Sequence, residues 1–226
     1  MSNTPPSNQS DTQTNHITDC LAIGSIVSSN SHMDYTVEIF NETDREQAPG
    51  PADCGFGQPV FIQKTVQETE YVIMGVIYDT HLMDPDQGRS GPRLAQGDQK
   101  QFTPGYVEER TKLAGVALLG TAEVTDDETI ENPSHQMPRW TLDVEDPVER
   151  CPDGVTQAFH TSVNGGILIA YMERLLDLAG PLGAEVMLAL LDRLRDSFPA
   201  DEHQRVLDVI EKDVRWQSSV DRGVMR

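Results

Sequence analysis

The sequence predicts an α+β protein: a small closed or partly open β-barrel followed by a C-terminal unit of about three helices. Two observations carry that expectation. Between residue 17 and about residue 120, apolar residues come in short β-branched runs broken by Gly, Pro, Asn and Asp, the punctuation of strands. After about residue 160 their spacing changes to three and four, the period of a helix packed on one side. Five or six short strands are too few for two full sheets, and closure removes unpaired edges, so a barrel is the economical arrangement. The expected division is a tail over 1–16, the barrel over 17–160 with a long loop at 81–105, and the helical unit over 161–226.

Taken in order, residues 1–16 are rich in Ser, Asn, Thr, Gln and Pro and cannot bury enough to order themselves. They lack the basic start and apolar centre of a signal peptide. Residues 23–28 form a first strand. Tyr35, Val37 and Ile39 then alternate with Thr36, Glu38 and Phe40, which suits a strand with one buried face. A loop over 41–55 leads to strands at 57–65 and 71–80, where Gly75 marks a bulge or tight bend. The segment 81–105, dense in Gly, Pro and Asp, reads as a long loop, functional or disordered. A strand over 112–123 follows, then an extended crossing segment with two prolines at 131–140, then a short helix near 146–151.

The three helices are read over 164–180, 184–197 and 201–214. The second places Val186, Leu190, Leu191 and Leu194 on one side, and the third carries Val206, Val209, Ile210 and Val214. The first is apolar nearly all round, at Ile167, Leu168, Ile169, Ala170, Tyr171 and Met172. Two short neighbours cannot cover it, so either the barrel or another subunit does. Ile167, Leu168, Tyr171 and Met172 are therefore candidate interface residues. Arg89 and Arg93, in the loop sequence RSGPR, are the best local basic patch, open to a phosphate or acidic partner or simply solvated.

With 37 acidic against 17 basic residues the net charge is −20, and only four of the cations are lysines. That balance opposes direct nucleic-acid binding, which needs a basic face. It resembles the surfaces of proteins from salt-loving microbes, where ambient salt screens self-repulsion. Three cysteines, Cys20, Cys54 and Cys151, without a CxxC pair, fit a reducing cytoplasm rather than a disulfide framework or zinc knuckle. No segment approaches the roughly 20 apolar residues needed to span a bilayer.

Candidate chemistry is thin. His16, His32, His81, His135, His160 and His203 show no ligand spacing and read as surface or loop histidines. The triplet Asp126, Asp127 and Glu128 is unremarkable in so acidic a chain, although convergent carboxylates could hold a metal for hydrolysis. Cys54 lacks a neighbouring histidine and reads as a passive thiol. No catalytic residue, metal or cofactor is expected.

Three short motifs, in order, resemble the HAS-barrel, the small β-barrel shared by HerA-type DNA-translocating ATPases and the catalytic subunits of ATP synthases. They are IGSIVS at 23–28, GQPVFI at 57–62 and VIMGV at 72–76. The resemblance spans roughly residues 17–160. It implies a barrel that mediates subunit contacts ahead of a nucleotide-binding core. That core would open with GxxxxGK[ST], and neither the glycines at 165 and 166 nor those at 180 and 183 precede a lysine. The expected function is thus a non-enzymatic assembly or adaptor protein. Its expected partner is a HerA-type ATPase or a second copy of itself, in DNA processing. The alternative is a metal-dependent nuclease or other hydrolase using acidic clusters.

Overall fold

The computed structural model describes residues 16–83 and 111–224. Among the described residues seven strands come before the helices: β1 (Ala22–Ser31), β2 (Asp34–Ile39), β3 (Pro59–Val66), β4 (Thr69–Met83), β5 (Thr111–Val124), β6 (Ile130–Ser134) and β7 (Pro147–Arg150). All pairings are antiparallel. Six strands close a ring in the order β2–β1–β7–β3–β4–β5, with β5 returning to β2. β6 is the extra strand, added to the far half of β5 at Thr121–Val124 while β2 occupies the near half. The α+β barrel with a helical C-terminal region is therefore what the chain forms.

The barrel encloses one core. Ile23, Val37, Val60, Ile62, Ile73 and Val116 are essentially inaccessible inside it. Alternate residues on the same strands, Phe61, Val72, Met74, Val76 and Leu119, point outward into a second core shared with the helices. β3 and β4 are thus apolar on both faces, which is why the run VIMGVI shows no clean alternation. The expected break at Gly75 is a register shift between Met74 and Gly75, and a Cβ there would sit 2.7 Å from Val116 Cγ1.

Four helices follow: α1 (Asp153–Phe159), α2 (Met172–Ala179), α3 (Gly183–Ser197) and α4 (Asp201–Val224), with a 3₁₀ turn (Gly180–Leu182) before α3. On α3, Val186, Leu190, Leu191 and Leu194 are all buried, as their spacing predicts. Three expectations need correction. Residues 147–150 form a strand, not a helix: Val148 fills the barrel interior, and β7 is the stave that joins β1 to β3. β4 continues through His81 and Leu82 to Met83, paired with β5, so the loop expected from 81 does not begin there. Its remainder, like the tail before residue 16, lies outside the described residues.

The third correction concerns the first predicted helix, which starts only at Met172. Residues 161–167 form a tight hairpin, with Thr161 bridged to Ile167. The Ser162 N–H donates to the Gly166 carbonyl, and Gly165 takes φ +78°, a conformation in which a Cβ is strained. The pair Gly165–Gly166 therefore folds the chain back where an apolar periodicity read through it. α4 also runs ten residues past its expected end, to Val224.

Candidate interaction surface

α4 is held on α3 by both apolar and polar contacts. Leu207 and Val214 are fully buried, seven residues apart on one face. Gln204 Nε2 donates to the carbonyls of Arg195 and Phe198, satisfying groups that the end of α3 leaves open. Arg195 then bridges to Asp208 at 2.9 Å and Glu211 at 2.6 Å, and Glu211 also takes Arg215 at i+4. These pairs fix the rotation of α4 about its axis.

That rotation leaves a second stripe facing away. Val206, Val209, Asp213 and Trp216 follow at spacings of three, four and three, the positions of a coiled-coil seam. They are not buried: Val206 is 43%, Val209 66% and Trp216 65% exposed. The sequence expectation put Val206 and Val209 on the same face as Val214, whereas the inward face belongs to Leu207 and Val214. Arg205 and Lys212 flank the outward stripe on one edge, and among the described residues no ion pair holds either of them. An exposed tryptophan in line with two exposed valines, edged by cations in a chain of net charge −20, is the strongest surface feature of the described protein.

The residues expected as an interface fall elsewhere. Ile167 and Leu168 are half-buried on the hairpin, and the Leu168 N–H donates to the His160 carbonyl. Met172 is half-buried against the helical core, and Tyr171 is buried within it. None sits on a fully enclosed helix. Arg89 and Arg93 lie outside the described residues.

Two histidines expected at the surface are buried. His160 donates from Nδ1 to the Thr156 carbonyl at 2.7 Å and accepts the Tyr171 hydroxyl at Nε2, 2.6 Å away. His135 stacks on Phe159 with ring centres 4.4 Å apart, donates from Nε2 to the Phe159 carbonyl and accepts the Ala170 N–H at Nδ1. Burial holds His135 down to about 4 and His160 down to about 3, so both rings are neutral. Burial also pushes the Tyr171 phenol well above its ordinary value. Every ring nitrogen in the pair is occupied, so the cluster ties the hairpin to α1 and leaves no lone pair for a substrate or metal. Arg174 of α2 adds the last link, donating to the Leu119 and His135 carbonyls.

The remaining candidates are dispersed. Residues 126–128 form the exposed turn between β5 and β6, where the Ile17 N–H donates to the Glu128 carbonyl. Cys54 is buried in the barrel interior. Among the described residues no three of His, Cys, Asp and Glu converge to hold a metal ion. One cleft of about 410 Å³, lined by residues 19–22 and 45–47, carries Asp19, Cys20, Arg45 and Glu46. Arg45 is committed to the face of Phe40, 4.6 Å from its centre. No described helix is long and apolar enough to cross a membrane.

A family model described as Domain of unknown function (DUF8166) matches residues 7–225. No curated protein matches the chain.

Proposed function

We propose, from the premise that this chain belongs to the DUF8166 family, that it is a non-enzymatic adaptor that docks a protein partner along the outward face of α4. The carrying observation is the exposed stripe Val209–Trp216 on a helix whose other face is pinned by Leu207, Val214 and the Arg195 network. A tryptophan held on a rigid element is the usual anchor of an interface, and its ordering cost is already met by the fold. Arg205 and Lys212 beside it favour a partner whose rim is acidic. Self-pairing of two antiparallel α4 helices would instead set these cations against their own copies.

The resemblance of the motifs at 23–28, 57–62 and 72–76 to the HAS-barrel favours as partner a HerA-type ATPase in DNA processing, in the cytoplasm, with this chain contributing contacts and no hydrolysis. The test mixes the full chain with a HerA-type ATPase from the same organism and reads association by light scattering. Trp216→Ala is expected to weaken binding about thirtyfold, roughly the 2 kcal/mol of an aromatic anchor. Absence of association, or binding indifferent to Trp216→Ala, would sink the proposal. Magnesium-dependent DNA cleavage by the pure chain would replace it with the hydrolase reading.

A further inference from the structure

Two of the three cysteines are brought together by the ladder that closes the barrel. β1 and β7 pair with Ala22 opposite Glu149. The Arg150 N–H donates to the Leu21 carbonyl at 2.8 Å, which extends the same register by one residue. The next pair along is Cys20 with Cys151. The Cys151 N–H turns the other way, to the Pro59 carbonyl of β3. Cys20 and Cys151 are therefore a non-hydrogen-bonded antiparallel pair, the closer of the two types, with Cα atoms about 4.5 Å apart. A disulfide needs roughly 4.4–6.8 Å.

Both thiols also lie on the same side. Leu21 packs with the barrel interior, as does Val148, so Cys20 and Cys151 fall on the alternate, outward face. Both belong to the outer core shared with the helices, Cys151 buried and Cys20 half-buried at its edge. Cys54 is inside the barrel, on the other side of the wall. Neither outer thiol has another task. Cys20 makes only a long contact to the Thr18 carbonyl, while Cys151 accepts the Thr156 hydroxyl at 3.3 Å and makes a long contact to the Pro152 carbonyl at 3.6 Å.

We infer that Cys20 and Cys151 are a dithiol that closes to a cross-strand disulfide by exchange with a small-molecule disulfide such as oxidised glutathione. The Cys20 thiolate, the one with solvent access, attacks a glutathione sulfur and expels one glutathione thiolate, which takes up the proton Cys20 released. The Cys151 thiolate then attacks Cys20 Sγ and expels the second. One S–S bond breaks and one forms: the protein dithiol loses two electrons and two protons, and two reduced glutathiones result. The bond fastens the start of β1 to the junction of β7 with α1, across the seam on which barrel closure depends.

The groups around the pair set its speed. Burial, then Glu149, then Asp19 push the Cys20 thiol up to about 11. Burial pushes Cys151 up to about 12; Cys20 and Asp153 add to this, while the Thr156 hydroxyl and Arg150 oppose it. The reactive thiolate of Cys20 is scarce at neutral pH, so closure should quicken nearly tenfold per pH unit between about 7 and 9.

The test incubates the full chain with oxidised glutathione, then denatures it in acid and alkylates free thiols. The expected product has lost two hydrogens, keeps one alkylatable cysteine, Cys54, and yields a peptide linking Cys20 to Cys151. Its thermal midpoint rises, and dithiothreitol restores the original value. Cys54→Ala should close identically, and Cys151→Ser should stop at a glutathione adduct on Cys20. Three alkylatable thiols after oxidation, a link through Cys54, or a wild-type product that halts at the Cys20 adduct would each overturn the assignment. A closure rate independent of pH would overturn Cys20 as the attacking group. The wild-type peptide map decides the pairing even if a variant fails to fold.

Discussion

The barrel interior and the outward face of α4 are built from the same kind of residue at regular spacing, yet one is sealed and the other bare. Inside, Val37, Ile73 and Val116 approach zero exposure because six staves surround them. Outside, Val209 and Trp216 keep about two-thirds of their surface because α3, the described helix that packs on α4, covers its other side. The difference teaches that apolar periodicity states a need for cover and does not say which element supplies it.

The comparison breaks most sharply under the same substitution at both places. Ile73→Asp puts a carboxylate into a dry core with no partner, and a cost of about 4 kcal/mol or more should unfold the barrel. Val209→Asp, on the bare stripe, should shift stability by no more than about 0.5 kcal/mol while abolishing partner binding. Denaturant midpoints and light scattering on both variants decide it. A collapse of stability in Val209→Asp would mean that the stripe is covered within the chain.

How much of this was legible follows from the same physics. The strand at residues 35–40 could be read because one face is buried throughout and the period of two survives, whereas those at 23–28 and 112–123 showed as short aliphatic runs bounded by polar residues. β7 could not: Pro147 and Pro152 bracket a four-residue strand whose only apolar member is Val148, and its identity depends on β1 and β3 arriving on either side. Residues 167–171 looked helical because apolar spacing does not register the reversal imposed by Gly165. On α4 two apolar stripes lie on one helix, Leu207 with Val214 and Val206 with Val209 and Trp216. Only the contacts of α3 select between them. The 3-4-3 spacing up to Trp216 was visible and could have flagged the second stripe. The burial of His135 and His160 had no local signal, because it depends on the hairpin bringing Ala170 and Tyr171 back against the end of α1 that carries Phe159.

A middle-sized effect separates buried polar groups from surface ones. His135 and His160 are neutral in the fold at about 4 and about 3, while the unfolded chain protonates histidine near the ordinary value of about 6.5. Below that value the unfolded state binds more protons, so stability present above about pH 6.5 is lost as pH falls toward 4. His135 alone should contribute about 3 kcal/mol of that loss, tempered by Glu149, whose burial raises its carboxyl and works in the opposite sense. Urea midpoints between pH 7 and 4.5, with the ring signals followed by NMR, test it. Rings that titrate near 6.5 in the folded protein would place both histidines in solvent.

The smallest expected effect is that of salt, because two populations of carboxylate pull against each other. Asp143 and Asp146 on Lys64, Asp53 on Arg150, and Asp208 and Glu211 on Arg195 gain from attraction, which salt weakens. All involve solvent-accessible groups, and such pairs are worth about 0–1 kcal/mol each. The excess of 20 negative charges instead repels itself, and salt relieves that repulsion over the whole surface. If the excess dominates, as a reading of the acidity as adaptation to salt would require, the thermal midpoint rises steadily from low to molar potassium chloride. Arg195→Met, which removes the central cation of the α3–α4 network, should steepen that rise, since the attraction that salt erodes there is gone. A midpoint that falls with salt in the parent chain, and stops falling in Arg195→Met, would mean that the paired carboxylates outweigh the unpaired ones and that the acidity is no adaptation to salt.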